Sequence, residues 1–132
     1  MTQTPEHIIR ATFTASNEGR MHFGEVIGKL MQAGVQSYQV DYRSRQSIYY
    51  LHNDDALILQ LAPTEQTIAA DFSVEKIVAA IRGAQRGTVM YPEFKRLSME
   101  AGCIGYNVWI SGRHVTYLGR KGETHVEHFP NS

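Results

Sequence analysis

Apolar residues recur along the chain with two different periods, and each change of period marks an element. Phe23, Val26, Ile27, Leu30 and Met31 are spaced by three and four, which predicts an amphipathic helix. Ala33-Gly34 ends it, with the glycine just past the C-cap, where a left-handed backbone is needed. Beyond that point the period falls to two. Tyr38, Val40 and Tyr42 alternate with Ser37, Gln39, Asp41 and Arg43, the pattern of a half-buried strand. An earlier helix is expected from Thr4-Pro5-Glu6, which supplies an N-cap, a first-position proline and a first-turn acid, with Ile8, Ile9 and Phe13 on its apolar side. Gly19 marks the break between the two helices, and His52-Asn53-Asp54-Asp55 reads as a turn between later strands.

The second half repeats these signals. Ser73 can cap a helix bearing Val74, Ile77, Val78 and Ile81, and Gly87 falls where that helix should stop. A further helix starts at Pro92, carries Phe94, Leu97 and Met99, and ends at Ala101-Gly102. Ile104, Tyr106, Val108 and Ile110 then alternate. Ser111-Gly112 reads as a two-residue hairpin loop and Gly119-Arg120-Lys121-Gly122 as a four-residue one. Shifting the chain by 68 positions places residues 5–59 on 73–127 with eleven identical pairs, among them Gly34/Gly102, Tyr38/Tyr106, Val40/Val108 and Tyr49/Tyr117. Average composition would give about three or four. The expected fold class is therefore α+β, built from two tandem α-α-β-β-β units over residues 4–62 and 72–129. Pro63–Asp71 connects them. Neither half is large enough for a core of its own, so the two antiparallel meanders are expected to share one, as a single domain over residues 1–132.

Composition changes this picture little but excludes much. Thirteen Lys and Arg balance thirteen Asp and Glu, so no global field favours nucleic acid or an anionic membrane. Cys103 is the single cysteine, which excludes an internal disulfide and multi-cysteine zinc patterns and suits a reducing cytoplasm. No apolar run is long enough to span a membrane, and Glu6, His7 and Arg10 interrupt any signal-peptide core. The expected location is cytoplasmic. Phosphate-cradling glycine loops, H-E-x-x-H, G-x-S-x-G and EF-hand loops are all missing, so the commonest nucleotide and hydrolase chemistries lack their signatures.

The run Met31-Gln32-Ala33-Gly34-Val35 within Phe23–Val40, and Phe94, Ala101-Gly102, Tyr106-Asn107-Val108 and Tyr117 within Tyr91–Tyr117, resemble the YdfO/YbcV-like family. These are small bacterial and prophage-associated proteins sometimes labelled phage envelope protein. The resemblance covers most of the chain and rests on helix stops and strand alternation. It implies an α+β fold and an unknown function, and it brings no catalytic residues.

Candidate chemistry is drawn from the second meander. With the two loops above, Trp109 faces His114, Asn107 faces Thr116, Thr116 faces His125 and His114 faces Glu127. One sheet face then reads Tyr106, Val108, Ile110, Val115, Tyr117 and Val126, a core. The other carries Asn107, Trp109, His114, Thr116, His125 and Glu127, a candidate ligand-binding set. His114, His125 and Glu127 within it could ligate a divalent metal such as zinc and leave a position open. The commoner outcome of period-two alternation is a solvated sheet face with no cofactor. In the first meander both faces are expected to be apolar: Tyr38, Val40 and Tyr42 on one, Ile48, Tyr50, Leu57 and Leu59 on the other. Helices are expected to cover the second face, with homodimerisation the alternative.

Other features point to structure. Glu25/Glu93 and Arg45/Arg113 recur in both halves and read as ion pairs or solvated positions. Lys76, Arg82, Arg86, Lys95 and Arg96 form a basic stretch interrupted by acids, so nucleic acid is disfavoured as a partner. Cys103 reads as a buried thiol. The residues favour a non-enzymatic binding or interaction module with a protein or small-molecule partner. The alternative is a metal or small-ligand site, or an enzyme built on it, on the polar face of the second meander.

Overall fold

Both halves fold through the same sequence of elements. A computed structural model describes residues 3–130. The first half runs α1 (Pro5–Asn17), α2 (Phe23–Gln32), β1 (Val35–Asp41), β2 (Gln46–Leu51) and β3 (Ala56–Gln60). The second runs α3 (Val74–Gln85), α4 (Tyr91–Glu100), β4 (Cys103–Trp109), β5 (His114–Gly119) and β6 (Thr124–His128). The caps act where the sequence places them. Thr4 Oγ1 accepts the His7 N–H at 3.1 Å, and Ser73 Oγ accepts the Lys76 N–H at 3.2 Å.

All six strands form one antiparallel sheet in the order β3-β2-β1-β4-β5-β6, so β1 and β4 join the halves at its centre. That pairing sets Gln39 opposite Asn107, its counterpart 68 positions on, and so arranges the halves about an approximate two-fold axis through this pair. Left-handed residues recur in step: Gly34 with Gly102, Arg45 with Arg113, and Asp54 with Gly122. The recurrence of arginine at 45 and 113 is thereby located. Both residues close the first hairpin of their meander, at φ 59° and 60°.

The helices pack on one face of the sheet. Ile9, Leu30, Ile77 and Met99 meet Tyr38, Val40, Tyr106, Val108 and Tyr117 in a shared core. Cys103 lies in it, fully buried, with its Sγ–H donating to the Gly105 carbonyl at 3.0 Å. Burial pushes its thiol up to about 11, so it carries no thiolate at neutral pH. No helix among the described residues is long and apolar enough to cross a membrane.

Two expectations are corrected by register. Trp109 faces His114 and Asn107 faces Thr116 as expected, but β6 sits one residue away from its expected position. The Gly119–Gly122 turn forms, with the Gly122 N–H on the Gly119 carbonyl, yet Gly122 adopts φ 83° and Glu123 is added before the strand resumes at Thr124. Leu118 therefore pairs with Thr124, Thr116 with Val126 and His114 with His128. A one-residue slip reverses every side chain of a strand. His125 and Glu127 consequently lie on the helix-covered face, and Val126 lies outside, 45% exposed. The same turn geometry in the first half sets Ser47 opposite Leu59 and Tyr49 opposite Leu57, so these leucines belong to the core side. The helices leave the other face bare, with Tyr50 38% and Ile58 56% exposed, contrary to the expectation that they cover it.

Candidate functional site

Asn107, Trp109, His114 and Thr116 do share the outer sheet face. Trp109 Nε1 donates to Thr116 Oγ1 at 3.2 Å, and the His114 ring lies between the rings of Trp109 and His128 at 6.3 and 5.7 Å. With His125 and Glu127 on the opposite face, the expected metal triad does not assemble. Among the described residues no three His, Cys, Asp or Glu side chains come together in a group suited to a metal ion. The basic stretch is partly neutralised by acids: Arg96 is held by Glu93 and Glu100, and Arg82 by Glu127.

The larger concavity lies on the other side of the sheet, between the helices and the strands. It encloses about 510 Å³, within the ~300–1,000 Å³ of small-molecule sites. Its floor is Tyr38 and Val40 of β1 with Tyr106 and Val108 of β4, so it straddles the axis between the halves. Its walls are also contributed in matched pairs, Phe23 and Tyr91, Val26 and Phe94, Tyr49 and Tyr117. Above it the two interhelical turns interlock. A Cβ on Gly19 would stand 3.6 Å from Pro92 at the start of α4, and one on Gly87 would stand 3.6 Å from His22 at the start of α2. Neither half encloses this space alone.

Its lining is aromatic and uncharged except at a few points. Burial pushes the Tyr38 and Tyr106 phenols well above their ordinary range, and raises Tyr91 to about 12. These hydroxyls are thus neutral hydrogen-bonding groups, not bases. Two are already engaged with each other: the Tyr106 hydroxyl donates to that of Tyr91 at 2.9 Å. Ser47 is different. It is 2% exposed on the cavity wall, and its Oγ has no hydrogen-bond partner among the described residues. Burial pushes the Tyr49 phenol up, and its contact with Ser47 lowers it in part. A buried hydroxyl left unpaired costs about 1–3 kcal/mol, and Ser47 stands among the residues that line this space.

A model of the family described as Protein of unknown function (DUF1398) matches residues 11–127. The chain belongs to the DUF1398 family. The match begins within α1 and ends at Glu127, and so takes in most of the cavity lining of this DUF1398 chain. Among curated proteins, none matches it.

Glu127 is the carboxylate on the lining. Burial alone would raise its carboxyl, but the hydrogen bonds and charges of Arg82 and His125 outweigh that and hold it below the usual carboxylate range. Arg82 Nη1 stands 2.8 Å away, which ties α3 to β6. A depressed folded pKa gives stability that is complete above about pH 5 and is lost as pH falls through the carboxylate range. Glu127→Gln should therefore destabilise the protein at pH 7, by no more than about 1 kcal/mol because Arg82 is solvated. The loss should shrink toward zero at pH 3 in urea titrations. Equal losses at both values would show that ionisation of Glu127 adds nothing.

Two of the residues that matter most, Ser47 and Tyr49, are missed by sequence reasoning because they face a space formed only when the halves meet. Glu127 is singled out in the sequence, but on the outer face; like its matched residue Leu59, it belongs to the inner face instead.

Proposed function

We propose that this DUF1398 chain is a non-enzymatic small-molecule-binding module whose site is the cavity between its halves. One observation carries this reading: an aromatic-walled space of about 510 Å³ holds a fully buried serine hydroxyl with no partner. The ligand it fits has a flat apolar body with few polar groups, one of them able to bond to Ser47. The lone, buried Cys103 supports a cytoplasmic setting, where unpaired thiols persist. The likeness of Phe23–Val40 and Tyr91–Tyr117 to YdfO/YbcV-like proteins agrees with the fold and leaves this reading open, because those proteins also lack an assigned function.

Calorimetric titration with 1-naphthylmethanol tests it. The expected result is saturable one-to-one binding with a dissociation constant on the order of micromolar, about 8 kcal/mol at the 1 M standard state. Val26→Phe, which copies the Phe94 of the matched position into the cavity, should weaken it at least about tenfold, or 1.4 kcal/mol. Absence of saturable heat, or binding indifferent to Val26→Phe, would contradict the reading.

The bare outer face supports a second reading, self-association. Tyr50, Ile58, Trp109 and Val126 are all more than a third exposed there. Exposed apolar residues gathered on one face mark interaction surfaces. Sedimentation should then show a dimer that Ile58→Lys dissociates; a monomer at every concentration tested removes this reading.

A further inference from the structure

We infer that the cavity selects an organic cation, a molecule with a ring-sized apolar body and an ammonium group whose charge sits between Glu127 and the aromatic wall. This deepens the cavity reading and rests on it. Glu127 occupies the inner face of β6, opposite Val115, at the position matched by buried Leu59 in the first half. An apolar core position has therefore been given to a carboxylate whose side chain is 18% exposed. Its charge is only partly met from within. Oε2 takes Arg82 Nη1 at 2.8 Å, whereas Oε1 is 3.4 Å from His125 Nε2, too long for a strong charge-assisted bond. Arg82 is itself 46% exposed, and such a pair gives up its partner at little cost.

The wall beside Glu127 completes the chemistry. Tyr117 is diagonal to it across β5 and β6; its ring stacks on that of His125 at 6.4 Å and lies 5.7 Å from that of Tyr106 and 6.1 Å from that of Phe94. Ring faces are negative and attract cations within about 6 Å of the centroid, most strongly where water is excluded. An anion in the same place would meet both those faces and the Glu127 carboxylate. The other charged group on the lining, Arg86, is exposed. Solvent and salt screen its charge, which weighs less on the interior than a carboxylate whose side chain is 18% exposed.

Three probes on one naphthalene body test the charge preference on the intact protein: 1-naphthylmethyl-trimethylammonium, 1-naphthylmethanol and 1-naphthalenesulfonate. The quaternary ion keeps its charge at any pH and has no N–H, so it reports charge alone. Calorimetry should show the cation binding about tenfold tighter than the alcohol, and the sulfonate weakest. Glu127→Gln should bring the cation-to-alcohol ratio to within about twofold of unity. Arg82→Gln, a change at an exposed site, should raise that ratio by freeing the carboxylate. If the alcohol binds and the cation does not exceed it, the charge inference falls and the cavity reading survives. A ratio unmoved by both variants overturns the inference in the same way. If none of the three binds, both fall together.

Discussion

Gly102→Ala should destabilise the protein by at least about 3 kcal/mol and lower its Tm by on the order of 10 °C. Two penalties combine at this position. Gly102 has φ +86°, a left-handed conformation that costs an L residue about 1–2 kcal/mol. A Cβ added there would also lie 2.1 Å from the Asp71 carbonyl oxygen, a backbone atom that cannot swing aside as a side-chain tip can. The connector is fixed where it passes, because the Ser73 N–H bonds to the Ala101 carbonyl at 2.7 Å and the Ala69 N–H to that of Met99 at 2.9 Å. Gly34 provides the control. It ends the matching helix of the first half at φ +82°, but a Cβ there meets nothing within 4 Å. Gly34→Ala should cost only about 1 kcal/mol, the backbone share alone. Chemical denaturation of the two variants measures the difference. Equal losses would mean that the covered junction imposes no constraint beyond φ.

Ser47→Val should do the reverse, stabilising the unliganded protein by about 2 kcal/mol while weakening its binding of hydroxyl-bearing ligands about tenfold. Removing an unpaired buried hydroxyl recovers on the order of 1 kcal/mol. The added carbon has room in the cavity and gains roughly 0.8 kcal/mol for each methylene equivalent buried. The matched position of the second half, Val115, already carries this side chain on the same face of the sheet. A serine kept at a loss of stability is the kind of compromise that binding sites make. Thermal denaturation with and without 1-naphthylmethanol would show a higher Tm for the free variant and a smaller ligand-induced rise. A lower Tm for the free variant would show that the Ser47 hydroxyl is satisfied in solution and has no ligand to await.

What was legible in the sequence is local. Thr4, Ser73, Ala33-Gly34 and Ala101-Gly102 announce helix ends because caps and left-handed glycines act through their immediate neighbours. Alternation in Tyr38, Val40, Tyr42 and in Tyr106, Val108, Ile110 marks the core face for the same reason. The β5–β6 register was not legible from loop length, because Gly122 in the left-handed region adds Glu123 and reverses the faces of β6. The leucines at 57 and 59, which match His125 and Glu127, are misplaced in the sequence by the same one-residue slip. The cavity depends on how two helix hairpins meet above a shared sheet, through Gly19 against Pro92 and Gly87 against His22. No periodicity within one half encodes that meeting.

Side-chain NMR during a titration with 1-naphthylmethanol locates the ligand and so tests the cavity reading most directly. Val40, Val108 and Val115 line the cavity, and the Trp109 indole N–H reports on the outer face, where the sheet is bare. The expected result is that the three sets of valine methyl signals shift and saturate together while the indole signal stays in place. A shifting indole with stationary valine methyls would put the ligand on the outer face and contradict the assignment of the cavity as the binding site.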